Sequence, residues 1–317
     1  MVVDISVIIP AYNAEATIAK CIESVLAQTG CSYEMVIVND GSTDQTPNII
    51  QSYQEKYSNI VYISQENKGL SRTKNVALNY ISGNHFMILD SDDYLPKGIF
   101  KVMSQYLDKD LSLYSFTHYK NDKLITNSLW LNKGIYSLNL LFSNYENLER
   151  LNSTMVRLFK TSIQREHNLY YNANSRYSED LQFNYTYYKY CKEAVVDPTV
   201  AYCVELTDNS LSRQFYGGKI DEMKDCYRIA SEFLTSDVAL SNTFMKLYKN
   251  FALDEIGVNI SKENFLAQTK DFHHMIDFNL KVKGGEHNQL LAFLFNKKMY
   301  RSIYWLMLLN FAAIYKR

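Results

Sequence analysis

Short apolar runs alternate with segments of helical apolar spacing along the first hundred residues. The runs at 5–9, 35–38, 60–63 and 85–89 are rich in β-branched or aromatic residues and predict strands. Apolar positions recur at helical intervals over 14–28 and 70–81, and Ser42 with Gln45 predicts a capping box for another helix. Strands that are apolar throughout are typical of parallel sheets covered on both faces. The pattern therefore predicts an α/β fold with a mostly parallel sheet flanked by helices.

The pattern becomes less regular after residue 100 and changes again after Gly217 and Gly218. Residues 98–107 predict a helix, whereas 111–117, 155–160 and 201–206 predict strands. Beyond the glycine pair, apolar residues recur at helical spacing. We expect one domain over 1–213, made of halves at 1–100 and 101–213, and a C-terminal helical add-on domain over 214–317.

Polar or acidic residues follow each of the four N-terminal predicted strands. Because ligands bind at the carboxyl ends of parallel strands, these segments would line one edge of the sheet. In chain order they are Pro10-Ala11-Tyr12-Asn13, Asn39-Asp40, Gln65-Glu66-Asn67 and Asp90-Ser91-Asp92-Asp93. Their convergence indicates a ligand site more strongly than any single segment does.

The fourth of these segments places three carboxylates within four residues. Crowded carboxylates repel one another and lose water, which costs free energy unless a positive charge lies among them. A divalent cation shared with a phosphorylated substrate is one explanation, and a solvated acidic turn is the other. The chain has no Gly-x-Gly-x-x-Gly segment after its first strand and no Walker-type loop. A metal ion would therefore hold the phosphates.

Composition narrows the class of protein without identifying it. The net charge of −1 over 317 residues disfavours nucleic-acid binding, and the hydrophobic content of 47% is typical of globular proteins. The five cysteines are scattered, which fits a reducing cytosol. We see no leader-like N terminus and no apolar run of the ~18 residues that a membrane span needs, so we expect a cytoplasmic protein.

Four sequence blocks together resemble the successive signatures of family 2 glycosyltransferases. The blocks span 6–13, 38–44, 67–71 and 89–93, and the likeness is close over 4–100 and looser to about residue 213. It implies the GT-A fold and an inverting, metal-dependent sugar transfer. Residues 1–100 would then be the nucleotide-sugar-binding half, and 101–213 the acceptor-binding half.

The resemblance implies that the ends of the first two strands bind the base of the donor. Pro10, Ala11 and Tyr12 would pack near the nucleobase, and Asn13 closes the same block. Asp40 would accept a hydrogen bond from a uracil ring, which implies a UDP-sugar donor. The family often has aspartate at the preceding position too, where this chain has asparagine.

The third and fourth blocks would bind the rest of the donor. The resemblance places Asp90 and Ser91 near the ribose, adds Asn67 to the donor site, and makes Asp92 the ligand of Mn²⁺ or Mg²⁺. The ion would bridge the diphosphate. Lys74 occupies a position where the family usually has arginine, and lysine keeps a positive charge for phosphate but lacks the bidentate fork.

Ser178-Glu179-Asp180 matches the Glu-Asp pair whose aspartate is the catalytic base of the family. An inverting transfer is a single displacement at the anomeric carbon, so one carboxylate must take the proton of the acceptor hydroxyl. Asp180 would be that base, with Glu179 in a supporting role near the acceptor. Both residues also suit the first turn of a helix, and the two roles are compatible.

The segment that closes over the diphosphate in the family often carries arginine or histidine, where this chain has Val204-Glu205-Leu206. Whether Glu205 or Arg213 contributes to the diphosphate site stays open at this stage. No motif encodes the donor sugar, for which we expect a hexose or an N-acetylhexosamine. We expect the acceptor to be a glycan hydroxyl, on a surface polysaccharide or on a glycosylated protein.

The tail contains an apolar run over 303–315 that only Asn310 interrupts, with basic residues on both sides. The run is too short to span a membrane. A buried core helix is the commonest fate of such a run. Self-association and a peripheral contact with the inner face of the cell membrane are the alternatives for residues 297–317.

Two other functions stay open from the sequence. A phosphatase of the haloacid dehalogenase type also uses Asp-x-Asp after a strand, but normally after its first strand, and here the motif follows the fourth. A non-catalytic, transferase-like protein that binds a glycan or a partner would have no need of the metal ligand or the base. Asp92 and Asp180 are both present.

Overall fold

Four parallel strands form the first half of a mixed sheet. The structure, a computed structural model, describes residues 2–120, 123–128, 132–152, 155–175, 178–206, 219–276, 279–282 and 285–315. The strands β1 (Ile5–Ala11), β2 (Tyr33–Asp40), β3 (Ile60–Gln65) and β4 (His85–Ile88) pair in the order β3-β2-β1-β4. Every residue of β1 and β4 is buried, which explains why neither strand alternates between polar and apolar positions.

Antiparallel pairing begins beyond β4. The remaining strands are β5 (Leu111–Lys120), β6 (Lys123–Ser128), β7 (Gly134–Ser137), β8 (Arg157–Lys160) and β9 (Glu193–Glu205). β8 pairs antiparallel with both β4 and β5, whereas β5 and β9 are parallel. β7 lies beside β9 at the edge, and β6 pairs with β5 off the main path of the sheet.

The helices follow the strands of the first half and dominate the end of the chain. They are α1 (Ile18–Leu26), α2 (Thr46–Gln54), α3 (Leu70–Leu78), α4 (Ile99–Met103), α5 (Leu138–Phe142), α6 (Leu148–Asn152), α7 (Thr161–Glu166), α8 (Glu179–Tyr188), α9 (Ile220–Ser231), α10 (Asp237–Gly257), α11 (Lys262–His273), α12 (Glu286–Asn296) and α13 (Tyr300–Tyr315). Within the described ranges, no helix combines the length and the apolarity that crossing a membrane requires.

The chain divides into two units that do not follow chain order. The first comprises 1–136, 153–174 and 190–208, and the second comprises 137–152, 175–189 and 209–317. The helical unit therefore includes α5, α6 and α8 as well as the C-terminal helices. The functional division at residue 213 stays a prediction, and Arg213 and the two glycines near it lie outside the described residues.

The core of the first unit joins the apolar strands to α1. Ile18, Cys21, Ile22 and Val25 are fully buried against the sheet, at the helical spacing that the sequence predicts. The core of the second unit is aromatic: the Phe244 ring lies 4.9 Å from Phe272 and 5.4 Å from Phe295, centroid to centroid. Such rings bury large apolar areas and account for the independent core of the helices.

Two local predictions were wrong in the segments after β1 and β2. α1 begins at Ile18 rather than residue 14: residues 15–17 form a turn, and the Ala14 amide donates to Thr46 Oγ1 at 2.8 Å. The capping box does not form, because Ser42 Oγ accepts from the Asn13 amide at 2.9 Å. Long-range hydrogen bonds between the loops after β1 and β2 replace the local bonds that the pattern favours.

Candidate active site

The loops that follow β1 and β2 are bonded to each other. The Asn13 amide donates to Ser42 Oγ, and Asn13 Oδ1 accepts from the Thr43 amide at 2.9 Å. Asn13 has a φ of +46°, a left-handed conformation that asparagine tolerates better than most residues. Asn13 therefore connects the two strand ends, and a direct donor contact for it stays a prediction.

Asp40 organises the loop that follows β3. Its Oδ1 accepts from Gln65 Nε2 at 2.7 Å and from the Lys68 amide at 2.8 Å, and Oδ2 accepts from the Gly69 amide at 2.9 Å. The carboxylate is 5% exposed. Each carboxylate oxygen has two acceptor sites, so capacity remains for a further donor beside the loop.

Gly41 allows the loops after β2 and β3 to touch. Its φ is +72°, and a Cβ built on it would lie 2.6 Å from the amide nitrogen of Asn67. A side chain at this position would therefore push the backbone of Asn67 away. The glycine and Asp40 together hold residues 67–69 at the sheet edge, where the Asn67 side chain is exposed.

Gly41→Ala is expected to lower the free energy of unfolding by about 2 kcal/mol or more, since left-handed strain adds to a backbone clash. Thermal and urea unfolding would measure the loss. Gly98→Ala is the matched control, because Gly98 has a φ of +81° but its Cβ would meet nothing within 4 Å. Equal losses in the two variants would contradict the role of the Asn67 contact.

The end of β1 presents one exposed aromatic side chain. Pro10 and Ala11 are buried within the strand, whereas Tyr12, the next residue, is 52% exposed. An exposed ring at the carboxyl edge of a parallel sheet is suited to stacking on a flat ligand. Of the three residues predicted to pack near a base, the structure leaves the Tyr12 side chain the most accessible.

Lys74 lies inside the protein rather than at its surface. Its side chain is 1% exposed, and Nζ lies 5.0 Å from the centroid of the Tyr171 ring. Asn75 holds the same segment, because its Nδ2 donates to the Tyr171 carbonyl at 2.8 Å and its Oδ1 accepts from the Tyr171 amide at 2.7 Å. Tyr171 therefore shapes the surroundings of the lysine, and its phosphate contact stays a prediction.

The acidic turn after β4 is anchored by β9. The Asp90 amide donates to the Tyr202 hydroxyl at 2.9 Å, and the Asp93 amide closes the turn by donating to the Asp90 carbonyl at 3.0 Å. The Asp93 carboxyl accepts from the Glu205 amide at 2.9 Å. Asp93 is buried, whereas Asp90 and Ser91 are half-buried and Asp92 is exposed.

The turn has the carboxylate crowding that the sequence predicts. Burial first, and then the charges of Asp90 and Asp92, raise the pKa of Asp93 to about 9. Asp92 lies at the surface, yet the surrounding protein removes water from its carboxylate and raises its pKa. A cation beside the turn would relieve this cost, so the charge and the chemistry of the turn suit a hard divalent ion.

The small number of protein side chains available to bind a metal suits an ion that the substrate also helps to hold. Among the described residues, no three histidine, cysteine, aspartate or glutamate side chains converge into a group that could bind a metal. Mg²⁺ and related ions are commonly held by one or two carboxylates together with substrate phosphates and water. Asp92 as a protein ligand is compatible with that kind of site, whereas a closed, all-protein site is not supported.

Glu205 and Lys20 form a charged pair next to the turn. Lys20 Nζ lies 3.4 Å from Glu205 Oε2 and 4.0 Å from the centroid of the Tyr94 ring. The Tyr94 and Cys203 backbones are hydrogen-bonded to each other at 3.2 and 2.9 Å. Glu205 thus contacts the acidic turn through its amide and Lys20 through its carboxylate.

Glu179 and Asp180 lie in the second unit, at the first turn of α8. Both are half-buried, and they occupy the helix end where carboxylates are favoured. The preceding residue is held by α9: Glu222 Oε2 accepts from the Ser178 amide at 3.0 Å and from its hydroxyl at 2.6 Å. The same oxygen accepts from Ser175 Oγ at 2.6 Å.

The sequence reasoning missed two of these supports. Tyr202 reaches the acidic turn from a strand 112 residues away, and Glu222 reaches Ser178 across 44 residues. Neither lies in a recognisable motif. The sequence holds one sign of the Tyr202 contact: this tyrosine lies in an apolar strand, and a buried tyrosine hydroxyl needs a hydrogen-bond partner.

The protein has the α/β class, with polar loops at the carboxyl edge of a parallel half-sheet, the edge at which proteins of this class commonly bind ligands. A family model described as glycosyl transferase family 2 matches residues 6–168, more than half of the chain. The chain belongs to glycosyl transferase family 2. All four strand-end segments lie within the matched range, and the haloacid dehalogenase alternative has no support from this assignment.

Curated relatives match about a third of the chain. Glycosyltransferase GlyA of Streptococcus pneumoniae is 46% identical over 97 residues, which are 30% of this chain and 14% of GlyA. Chondroitin synthase of Escherichia coli is 39% identical over 109 residues, 34% of this chain and 16% of the synthase. The chain therefore spans a small part of these two relatives.

A solved structure matches almost the whole chain. A crystal structure of TarS from S. aureus superposes with a TM-score of 0.71 at 20% identity, covering 99% of this chain and 93% of the TarS chain. The match confirms the predicted GT-A fold with helices at its C-terminal end. Related TarS structures contain UDP and UDP-GlcNAc.

Proposed function

We propose that this protein transfers a hexose or an N-acetylhexosamine from a UDP-sugar to a glycan hydroxyl, with inversion at the anomeric carbon. The observation that carries the proposal is the alignment of four polar segments at one sheet edge in a member of family 2. The UDP and UDP-GlcNAc complexes of TarS support this choice of donor.

The uridine would bind across the ends of β1 and β2. Tyr12 offers an exposed ring for stacking, and Pro10 and Ala11 form the rigid strand end beneath it. Asp40 lies in the adjacent strand, where its carboxylate, already fixed by the 68–69 amides, would accept from the N3–H of uracil. The Asp40 carboxylate would thereby favour uracil over bases that have no hydrogen-bond donor at the matching ring atom.

The ribose and diphosphate would lie along the β4 turn. Asp90 and Ser91 would contact the ribose hydroxyls, Asn67 would join them from the exposed loop after β3, and Lys74 would contribute positive charge from α3. Asp92 would hold Mn²⁺ or Mg²⁺, and the bound ion would supply positive charge that stabilises the departing diphosphate.

The proton of the acceptor hydroxyl would be taken by Asp180. Asp180 lies in the first turn of α8, beside the Ser178 that Glu222 holds. Glu179 would support the acceptor side. The active arrangement requires Asp180 to reach an acceptor oxygen that attacks the anomeric carbon from the face opposite the diphosphate.

The functions named for relatives support a proposal for the acceptor class. They include a chondroitin synthase and a teichoic acid poly(glycerol phosphate) polymerase of Staphylococcus epidermidis, which is 30% identical over 203 residues. We propose a surface polysaccharide or a glycan on a surface protein as the acceptor. A cytoplasmic location, where nucleotide sugars are made, accords with this role.

Glu222 is expected to position the turn that carries the base. Glu222→Gln should lower kcat by about tenfold, as is common when a residue that orients a reacting group is lost, and leave KM for the donor unchanged. Steady-state kinetics and thermal unfolding would separate this effect from misfolding. Glu263→Gln, at the first turn of α11, is the matched control. A proportional rise in donor KM would contradict the positioning role.

Calorimetry with UDP tests the proposal against a non-catalytic, glycan-binding role. We expect UDP to bind, with an affinity that rises when Mn²⁺ is present. UDP that binds equally well with Mn²⁺ and with a chelator would contradict the metal site. Absence of UDP binding under both conditions would favour the non-catalytic function.

A further inference from the structure

Charge is segregated towards the end of the chain. From His287 to Arg317 the sequence has five lysines and arginines and no acidic residue, although the whole chain has a net charge of −1. Three of these cations, Lys297, Lys298 and Arg301, are exposed at the connection between α12 and α13. Residues 287–317 therefore carry a net charge of +5, whereas residues 1–286 carry a net charge of −6.

A cavity at this connection gathers cations from two helices. It has a volume of about 450 Å³, and its lining includes Lys270 of α11 together with Lys298 and Arg301. Tyr300 and Ser302 supply hydroxyl groups at the same place. No acidic side chain is among its lining residues, and no ion pair of Lys298 or Arg301 occurs within the described part of the chain. The cavity is suited to an anionic group such as a phosphate.

The same helix continues as an exposed apolar face. Ile303 and Met307 of α13 are fully buried, which partly confirms the expected core helix. On the other side, Arg301, Trp305 and Leu309 recur every four residues, and Trp305 and Leu309 are 53% and 68% exposed. At a rise of 1.5 Å per residue, this stripe extends about 12 Å from the cationic cavity.

The two features together offer the side chains that suit a membrane surface. Cations favour the phosphate layer, tryptophan favours the interface, and leucine favours the acyl boundary. Lys262 adds a further cation beside the stripe, since its Nζ lies 4.9 Å from the centroid of the Trp305 ring. A second copy of the chain would bring the same positive charges face to face, which disfavours pairing through this surface.

We propose that the α11–α13 surface, formed by Lys262, Lys270, Lys298, Arg301, Trp305 and Leu309, docks onto an anionic phospholipid membrane. A lipid phosphate occupies the cationic cavity, and the Trp305–Leu309 stripe enters the interface. The helix lies on the bilayer and does not cross it. Docking would hold the enzyme at a surface where lipid-linked acceptors reside, but the inference itself rests on this surface alone.

Vesicle co-sedimentation of the full chain tests the proposal. Phosphatidylcholine vesicles with and without phosphatidylglycerol are the probes, at low and at high salt. We expect binding that requires phosphatidylglycerol and weakens with salt. The double variant Lys298→Glu/Arg301→Glu should lose at least about tenfold in partitioning, since each cation near an anionic surface contributes about 1 kcal/mol.

Matched variants keep the result specific. Lys56→Glu/Lys101→Glu changes the net charge equally at exposed positions of the first unit and should bind like the parent. Trp305→Ser/Leu309→Ser should weaken binding, whereas Leu124→Ser/Ile125→Ser, at exposed positions of β6, should not. Circular dichroism and thermal unfolding verify that each variant is folded.

Two outcomes would overturn the proposal. One is equal loss of binding in the two charge variants, which would show a non-specific effect of net charge. The other is a lack of phosphatidylglycerol-dependent binding together with a dimer, seen by light scattering, that Trp305→Ser/Leu309→Ser dissociates. That pair of results would assign the surface to self-association.

Discussion

Asp180→Asn is expected to lower the rate of sugar transfer by at least about 100-fold while the affinity for UDP stays the same. A positioned general base contributes about 10²- to 10⁴-fold to a rate, and asparagine keeps the size of aspartate but cannot accept the proton. Because Asp180 lies outside the four strand-end segments that would hold UDP, the substitution should leave nucleotide binding intact. Release of UDP in the presence of acceptor and calorimetry with UDP measure the two quantities.

The neighbouring carboxylate provides the control. Glu179→Gln removes a charge from the same turn of α8 and should reduce the rate less than Asp180→Asn does. A rate for Asp180→Asn close to that of the parent would rule out Asp180 as the base. A reversed ranking of the two variants would move the role to Glu179.

Asp92→Asn is expected to remove the Mn²⁺-dependent part of UDP affinity and to lower turnover on the order of 100-fold or more. Metal stabilisation of a developing phosphate charge is worth several kcal/mol, and asparagine supplies a neutral oxygen in place of a charged one. Calorimetry of UDP with and without Mn²⁺, followed by turnover at saturating metal, would show both effects.

Asp108→Asn is the matched control for this loss. Asp108 is an exposed aspartate of the first unit whose partner is Lys109, away from the loops at the sheet edge. It should leave metal-dependent UDP binding unchanged. If Asp92→Asn keeps full metal dependence, the ion is held elsewhere and the assignment of Asp92 is wrong.

The sheet edge could be predicted from the sequence because its determinants are local. Each strand of the first half is a continuous apolar run, and the polar residues that follow it mark the strand end. Parallel pairing then brings these ends together: Ala11 pairs with Asn39, and Asp40 pairs with Gln65. The α/β class follows from this local pattern, whereas the GT-A fold was implied by the resemblance of the four blocks to family 2, and the location of the donor site stays a prediction.

What the sequence could not provide depends on contacts between distant segments. The roles of Tyr202 and Glu222 arise where β9 meets the acidic turn and where α9 meets Ser178. The capping box does not form because Ser42 accepts from the Asn13 amide. No periodicity records such pairings, since each partner lies in a different element.

The division into units shows the same limit. α5, α6 and α8 precede residue 213 in the chain, yet they belong to the helical unit. Their aromatic residues explain why: the Phe142 ring lies 5.6 Å from Tyr185 and 5.7 Å from Phe233, centroid to centroid. The change in pattern at Gly217 and Gly218 gives no sign that α5, α6 and α8, which come earlier in the chain, belong with the C-terminal helices.

A donor-hydrolysis screen tests the central claim most directly. Purified protein is incubated with Mn²⁺ and each of a set of UDP-hexoses and UDP-N-acetylhexosamines, with GDP- and CDP-activated sugars as controls, and the free nucleoside diphosphate or monophosphate is measured. We predict that the parent protein releases UDP from at least one UDP-sugar and releases no nucleotide from the GDP- and CDP-activated sugars. The Asp92→Asn variant should release much less UDP than the parent. Release from a GDP- or CDP-sugar alone, or equal release by Asp92→Asn, would contradict a metal-dependent UDP-sugar site at this sheet edge.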